Sequence, residues 1–473
     1  MFFSRAHFVR VTPGLLCLAL LLPFAAHAGD LLQLYEKAQK NDATFNAAQY
    51  ARDAALQSEP AARALLLPQV NGSYQWTEDR SDTSINYIDP ATGTPVTLNQ
   101  SNGGRDTHLS VVLNQPLFDL EHWYRLQEAS EKTALAQLNY RAAQQALTLR
   151  VAEDYFSLLA AYDAVHSTTA ERDALASQLE LAKQNMNVGI SSITDVQDVQ
   201  ARYDLSVANA LDAEQNQTAA IEALEEITKE PMRSIDDGRV RVVPLIAEVI
   251  PSRIAALRAD APMPVLKSAA SAAWVKEAGS NNFDVLAALL QYRAAEHAVS
   301  AVNSRYLPTV KGTVGYTDLN NEAGGLPTKS SGMSWGVGVS VPIFAGGATR
   351  AASREAKAFR EQRLAEYDGA QRLAQRNAGT AYQAVMIGAA RIRAYKQAVA
   401  SSLSAFEASR TGLEIGTRSR IDLLNAQTQR YQAERDYDRA RYDYLLAILR
   451  LKATGGGLLL RDLESIDRLL VTP

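Results

Sequence analysis

Three carboxylates stand out among the residues able to do chemistry, because they follow glycine turns at matched spacing. Asp195 and Asp198 come after Gly189, and Asp422 follows Gly416 at the same interval that separates Asp195 from Gly189. Carboxylates at a helix start are favoured by the positive end of its dipole, a solvated role that competes with one in attracting cations. Other reactive types are sparse. Beyond the first thirty residues the histidines are His108, His122, His166 and His297, scattered and never paired at helical spacing for a metal. No glycine loop precedes a helix as a phosphate cradle requires, and no Gly-x-Ser-x-Gly elbow occurs. Gly455-Gly456-Gly457 reads as a breaker at a helix end. Neither an enzyme nor a cofactor or metal site is expected.

The first residues read as an export leader. Arg5 and Arg10 precede a short apolar core, Leu15 to Pro23, and Ala26-His27-Ala28 is a small-x-small cleavage site that would make Gly29 the first mature residue. The one cysteine, Cys17, lies inside this segment behind Leu16, where lipidation would need a small residue. A mature chain therefore has no thiol for disulfides or metals. Without the two leader arginines, 48 basic against 52 acidic residues becomes a net charge of about −6, which argues against nucleic acid as a partner. No later stretch approaches the ~20 apolar residues of a transmembrane helix. Entry into a membrane would have to be by strands.

The chain is written twice. Proline-free runs separate Pro116 from Pro231 and Pro342 from Pro473, each broken by a glycine turn, Asn187-Val188-Gly189-Ile190-Ser191 and Glu414-Ile415-Gly416-Thr417-Arg418. Each run predicts a long helix, a tight turn and a second helix. Ahead of them, Leu66-Leu67-Pro68-Gln69-Val70 matches Tyr306-Leu307-Pro308-Thr309-Val310, and Asn114-Gln115-Pro116-Leu117-Phe118 matches Ser340-Val341-Pro342-Ile343-Phe344. Between these prolines the period changes to two: Val70, Gly72, Tyr74 and Trp76 alternate with Asn71, Ser73, Gln75 and Thr77, and Trp335, Val337, Val339 and Val341 with Ser334, Gly336, Gly338 and Ser340. Four strands of roughly ten residues, apolar on one face only, suit a membrane barrel with a wet lumen. The smallest such barrels have about eight strands, so the chain must oligomerise. The polar stretches Arg80 to Arg105 and Asn320 to Ser330 are expected as external loops.

A helix from about Asp119 to Asn187 would be roughly 100 Å long, too long for a compact domain. After the turn, Val196, Val199, Tyr203, Ser206, Ala210, Ala213, Gln217, Ala220, Leu224 and Ile227 make a seam of mostly small residues. Its counterpart, Leu423, Ala426, Arg430, Ala433, Tyr437, Ala440, Tyr444 and Ala447, is interrupted by Arg430. Small seams bury little per residue and need neighbours on both flanks, which a ring of hairpins supplies. A periplasmic coiled-coil adaptor or a structural envelope protein would share the hairpins but not the paired amphipathic strands.

The order of leader, helix, Leu-Pro strand, strand-Pro-x-Phe and helical hairpin, given twice, resembles the TolC family of outer-membrane efflux and type I secretion channels, in its non-lipidated branch. The nearest local matches are Val188-Gly189 with Ile193-Thr194-Asp195-Val196-Gln197, Ile415-Gly416-Thr417-Arg418 with Ile421-Asp422-Leu423-Leu424, and the tail from Leu451-Lys452-Ala453 to Asp462-Leu463. The resemblance implies an α+β homotrimer in the Gram-negative outer membrane: a twelve-stranded β-barrel among lipid, four strands per chain, continued by a periplasmic α-helical barrel. It implies a passive duct served by a periplasmic adaptor (membrane fusion) protein and an inner-membrane transporter, ABC or proton-driven. The implied boundaries are a signal peptide 1–28, a first repeat 29–230 with strands in 68–118 and a hairpin in 119–230, and an equatorial linker 231–280. A second repeat 281–452 follows, with strands in 308–344 and a hairpin in 345–452, then an equatorial C-terminal segment 453–473. By resemblance, Asp422 and Asn425 fall on the periplasmic constriction, Asn425 replacing an aspartate, and Arg418 falls on a latch arginine with Asp204 as its expected partner. Leu413 stands where the family has a latch tyrosine. Gly189, Asp195, Asp198 and Gly416 are expected at the turns that meet the adaptor.

Overall fold

The computed structural model describes residues 30–229, 233–236, 239–242, 257, 261–264, 270–321 and 327–470. The expected leader, its cleavage point at Ala28 and Gly29, and much of the 231–280 linker lie outside the described residues. Three short helices, α1 (Asp30–Asn41), α2 (Ala43–Ala55) and α3 (Ser58–Ala64), lead into β1 (Gln69–Ile88) and β2 (Pro95–Phe118). The first helical hairpin is α4 (Leu120–Asn187) with α5 (Ile193–Thr228). A small ribbon, β3 (Arg233–Asp236) and β4 (Arg239–Val242), separates it from the second round: α6 (Ser271–Asn281), α7 (Phe283–Ser304), β5 (Thr309–Asn321), β6 (Thr328–Ser340), α8 (Ala348–Glu414) and α9 (Arg420–Thr454). A last helix, α10 (Leu460–Asp467), follows.

The long helices begin where the sequence marks them. Asp119 caps α4 by accepting from the His122 backbone N–H at 3.0 Å, and the 68 residues that follow run about 100 Å. On α5 the buried residues are Val196, Val199, Ser206, Ala210, Ala213, Ala220, Ile221, Leu224, Ile227 and Thr228, close to the expected seam. In α9 the interruption at Arg430 is absorbed locally. Its guanidinium lies 5.6 Å from the Phe406 ring centre and donates to Glu434 at 2.8 Å.

The four long strands form one antiparallel sheet in the order β1-β2-β5-β6, leaving β1 and β6 as open edges. Register sorts the side chains. Directly paired residues share a face, so the rows Val70–Leu113–Val314–Trp335 and Gly72–Val111–Tyr316–Met333 build one apolar band. The rows between them, Asn71–Val112–Gly315–Ser334 and Ser73–Ser110–Thr317–Gly332, give the other face small and polar groups. The apolar band has no cover among the described residues: Trp335 is 83% exposed and Val337 64%. Among the described residues no helix is long and apolar enough to cross a membrane.

Strand length differs from expectation. β5 and β6 have 13 residues each, but β1 has 20 and β2 has 24. The stretch Arg80 to Arg105, expected as a loop, is instead the continued hairpin, turning only at Asp89–Thr94. From Thr77 to Ser84 polar residues occupy both faces, so the alternation that marks a strand is lost there while the ladder continues. Polar cross-strand pairs hold it: Ser84 donates to Asn99 and Thr97 to Asn86, each at 2.7 Å.

The largest apolar core lies where α1, α10 and the ends of α5 and α9 meet the middle of α4. Leu31, Leu147, Tyr155, Phe156, Leu224, Leu445, Leu449 and Leu463 are buried there, with Phe156 stacked 5.7 Å from Tyr442. The Tyr442 hydroxyl donates to Asp163 at 2.6 Å. Burial pushes the Asp163 carboxyl up, and pushes both Asp154 and Asp438 up to about 6. The sign for stability is the reverse of a paired carboxylate. The folded chain holds this proton up to about pH 6 and the unfolded chain only up to about 4, so the stability it carries is fully present below 4 and is lost as pH rises through 6. Asp154→Asn should therefore raise the melting temperature at pH 7.5 and lose that advantage by pH 4, as circular dichroism in detergent would record. An equal gain at both pH values would show that burial of the charge is not the cause.

Candidate functional site

Both hairpins end in the same hydrogen-bonded turn. After α4, the Gly189 N–H donates to the Met186 carbonyl at 3.0 Å and the Ile190 N–H to Asn185 at 2.8 Å. After α8, Gly416 donates to Leu413 at 3.2 Å and Thr417 to Gly412 at 2.8 Å. This is the glycine-terminated helix end in which two orphan carbonyls are satisfied, and it requires the positive φ of Gly189 (76°) and Gly416 (78°). Each following helix opens with a capping box. The Asp195 N–H donates to Ser192 Oγ at 3.1 Å and the Asp195 carboxylate accepts from the Ser192 N–H at 3.0 Å. Asp422 repeats this with Ser419 at 3.1 and 3.0 Å, and also accepts from Ser419 Oγ at 2.8 Å.

These bonds fix the carboxylates and their charge. Hydrogen bonds from Ser419, with Arg418 nearby, hold the Asp422 carboxyl below the usual aspartate range. The Asp195 carboxyl is lowered by Ser192 and Ser191, with help from Arg420 of the other hairpin. Asp198 and Asn425 are exposed one turn further along their helices. Val188, Ile190, Ile193 and Ile415 expose more than half their surface at the two turns.

The two turns lie side by side and level. Leu424 of α9 is buried in the cluster of Leu179, Ala182, Val196 and Val199 from the first hairpin. Further along, Arg435 reaches Glu171 at 3.3 Å. Within the chain Arg418 makes no ion pair with Asp204, which accepts from Gln200 at 2.8 Å. The side chain of Arg418 lies across α8, where a Cβ on Gly412 would stand 2.5 Å from its Cγ. Asp204 is nine residues beyond Asp195, about 13 Å further along α5. A second copy related by rotation about an axis along the hairpins would bring Asp204 no closer in height to Arg418. Spacing along the sequence gave no sign of Gly412, Arg420 or Leu424, whose importance lies in contacts between the helices. Leu413 is half-buried.

The sequence profile of the family described as outer membrane efflux protein matches residues 34–228 and 274–457. The chain belongs to this family. Both matched stretches coincide with the two rounds of strands and hairpins. The outer membrane protein TolC of Vibrio cholerae is 30% identical over 450 residues, covering 94% of this chain and 95% of that one. The alkaline protease secretion protein AprF of Pseudomonas aeruginosa is 30% identical over 453 residues, covering 94% and 88%. Solved structures share the fold. A membrane protein from Pseudomonas aeruginosa superposes with a TM-score of 0.74 at 21% identity over 90% of each chain, and the CmeC outer membrane channel of Campylobacter jejuni with 0.72 at 17% over 94% and 90%. As an outer membrane efflux protein, this chain is an export-channel component of the outer membrane that extends into the periplasm. The family is one of channels, not of enzymes.

Proposed function

We infer that three copies of this outer membrane efflux protein close their sheets into a twelve-stranded barrel and their hairpins into one periplasmic tunnel, a passive duct for efflux or type I secretion. The observation that carries this reading is the four-stranded sheet with two open edges, apolar on a single face and continuous with helices about 100 Å long. The family's description as efflux proteins and a relative named for protease secretion support both kinds of cargo, and an inner-membrane transporter, ABC or proton-driven, would select between them. The exposed apolar residues around Gly189 and Gly416, with Asp195 and Asp198 beside them, suit a periplasmic adaptor. Analytical ultracentrifugation in mild detergent should give a trimer; a monomer or dimer would overturn the reading.

At the inner end of the tunnel, Asp422 and Asn425 form the constriction and Arg418 the latch. The carboxylate at the latch's height is Asp195 of a neighbouring subunit's first hairpin, which replaces Asp204 in this role. An exposed pair contributes roughly 0.2–1 kcal/mol, and three of them shift a closed-to-open equilibrium several-fold. Arg418→Ser should raise single-channel conductance in planar bilayers. Gly412→Ala should do the same by displacing the Arg418 side chain, while Asp204→Asn should leave conductance unchanged. Asp422→Ala should weaken block by multivalent cations. If Asp204→Asn opens the channel and Asp195→Asn does not, the latch assignment is wrong.

A further inference from the structure

The β1–β2 hairpin changes its apolar face along its length without a break in register. Near the helices, Val70, Tyr74 and Trp76 with Leu109, Val111 and Leu113 lie on the outer band. Beyond the row Thr77–Asp106–Asn321 the sheet narrows to two strands, from Glu78–Arg105 to Ile88–Pro95. There the face that continues the apolar band carries Glu78, Arg80, Asp82, Ser84 and Asn86, with Ile88 at its last row beside the turn. The opposite face, which continues the small and polar side, carries two apolar rows, Ile85–Leu98 and Tyr87–Val96. Ile85 is 48% exposed, Tyr87 42% and Leu98 51%, so nothing among the described residues covers them. The turn beyond is well ordered by its own bonds: Asp89 accepts from the Ala91 N–H and Thr92 hydroxyl at 2.9 and 2.8 Å, and Gly93 has φ 66°.

Two physical points choose the occupant. An isolated two-stranded ribbon is marginal in water without packing, and an apolar patch on the lumen side faces neither lipid nor its own sheet. Twelve strands at ~4.8 Å spacing and ~40° tilt enclose a radius of roughly 12 Å, whereas the free ribbon extends about 35 Å beyond the last four-stranded row. Its tip therefore reaches the axis with length to spare. Resting on the trimer reading above, we propose that the three ribbons lean over the external mouth and pack Ile85, Tyr87, Val96 and Leu98 against their two copies, making a second constriction at the outer end of the duct.

Cross-linking in outer-membrane vesicles tests this on the whole assembly. With Cys17 in the expected leader, Tyr87→Cys and Val96→Cys should give covalent dimers with a short bismaleimide many times faster than Asn86→Cys, one residue away on the opposite face. The double substitution Ile85→Ser with Leu98→Ser should raise conductance in a channel whose inner latch is already opened by Arg418→Ser. Trimers that resist detergent but do not cross-link at either position, or that cross-link equally at Asn86→Cys, would overturn the external constriction and leave the trimer standing. Loss of any trimer from the unsubstituted chain would overturn both.

Discussion

Val314→Arg will keep the chain out of the outer membrane, and Thr313→Arg, its immediate neighbour, will not. Val314 lies in the row Val70–Leu113–Val314–Trp335 at the centre of the apolar band, flanked by Leu113 and Trp335. An arginine on the lipid face near the bilayer midplane opposes insertion by about 2–4 kcal/mol. Repeated in each subunit of the proposed trimer it approaches the entire stability of an ordinary fold, roughly 5–15 kcal/mol. Thr313 faces the other way, in the row Asn114–Thr313–Gly336, where an arginine remains in water and alters ion selectivity. Membrane fractionation with heat-modifiable gel migration reads the first outcome, and bilayer recordings the second. Insertion of Val314→Arg with exclusion of Thr313→Arg would mean that the faces are assigned the wrong way round.

Gly456→Ala should be the most damaging of the glycine substitutions in the helical region. Gly456 ends α9 with φ 68°, and an added Cβ would lie 2.5 Å from the backbone carbonyl oxygen of Asn281. Asn282 clasps the same helix end by donating from its side chain to the Thr454 carbonyl at 2.9 Å. Neither backbone can yield without parting α9 from the junction of α6 and α7. The matched control is Gly416→Ala, where φ is 78° but no atom stands within 4 Å of the added carbon. That change should carry only the left-handed backbone penalty, about 1 kcal/mol. Thermal unfolding should rank the native chain first, Gly416→Ala close behind it, and Gly456→Ala far lower. Equal losses would show that the contact with Asn281 is not decisive.

What could be read from the residues and what could not follow one physical division. Asp119, the buried positions from Val196 to Ile227, and the turns at Gly189 and Gly416 were legible because capping, helical periodicity and left-handed backbone are local properties of a few consecutive residues. The first ten residues of β1 were legible for the same reason. Its continuation was not, since Glu78 to Ser84 are polar on both faces and apolar residues return only at Ile85 and Tyr87, on the face opposite to Val70 and Tyr74. The choice between Asp204 and Asp195 as the partner of Arg418 is of the same kind: composition picks out carboxylates, but the packing of Leu424 against the first hairpin sets the height at which Arg418 lies. Gly412 was invisible because its role is to leave room for Arg418, and a missing side chain leaves no pattern.

The two unpaired edges of the sheet also govern how defects spread among copies. Strands β1 and β6 can satisfy their outer backbone groups only on another chain, so in the proposed trimer the folding of the membrane part is a matter of mass action and not a property of one chain. A subunit whose β6 edge is spoiled, by a proline at Val337 for instance, would still offer a sound β1 edge and enter the ring. Expressed equally with the native chain and mixing at random, it would leave only about one ring in eight free of the defect. Such an allele would act dominantly, and a damaged edge would harm the cell more than the absence of the chain from which it came.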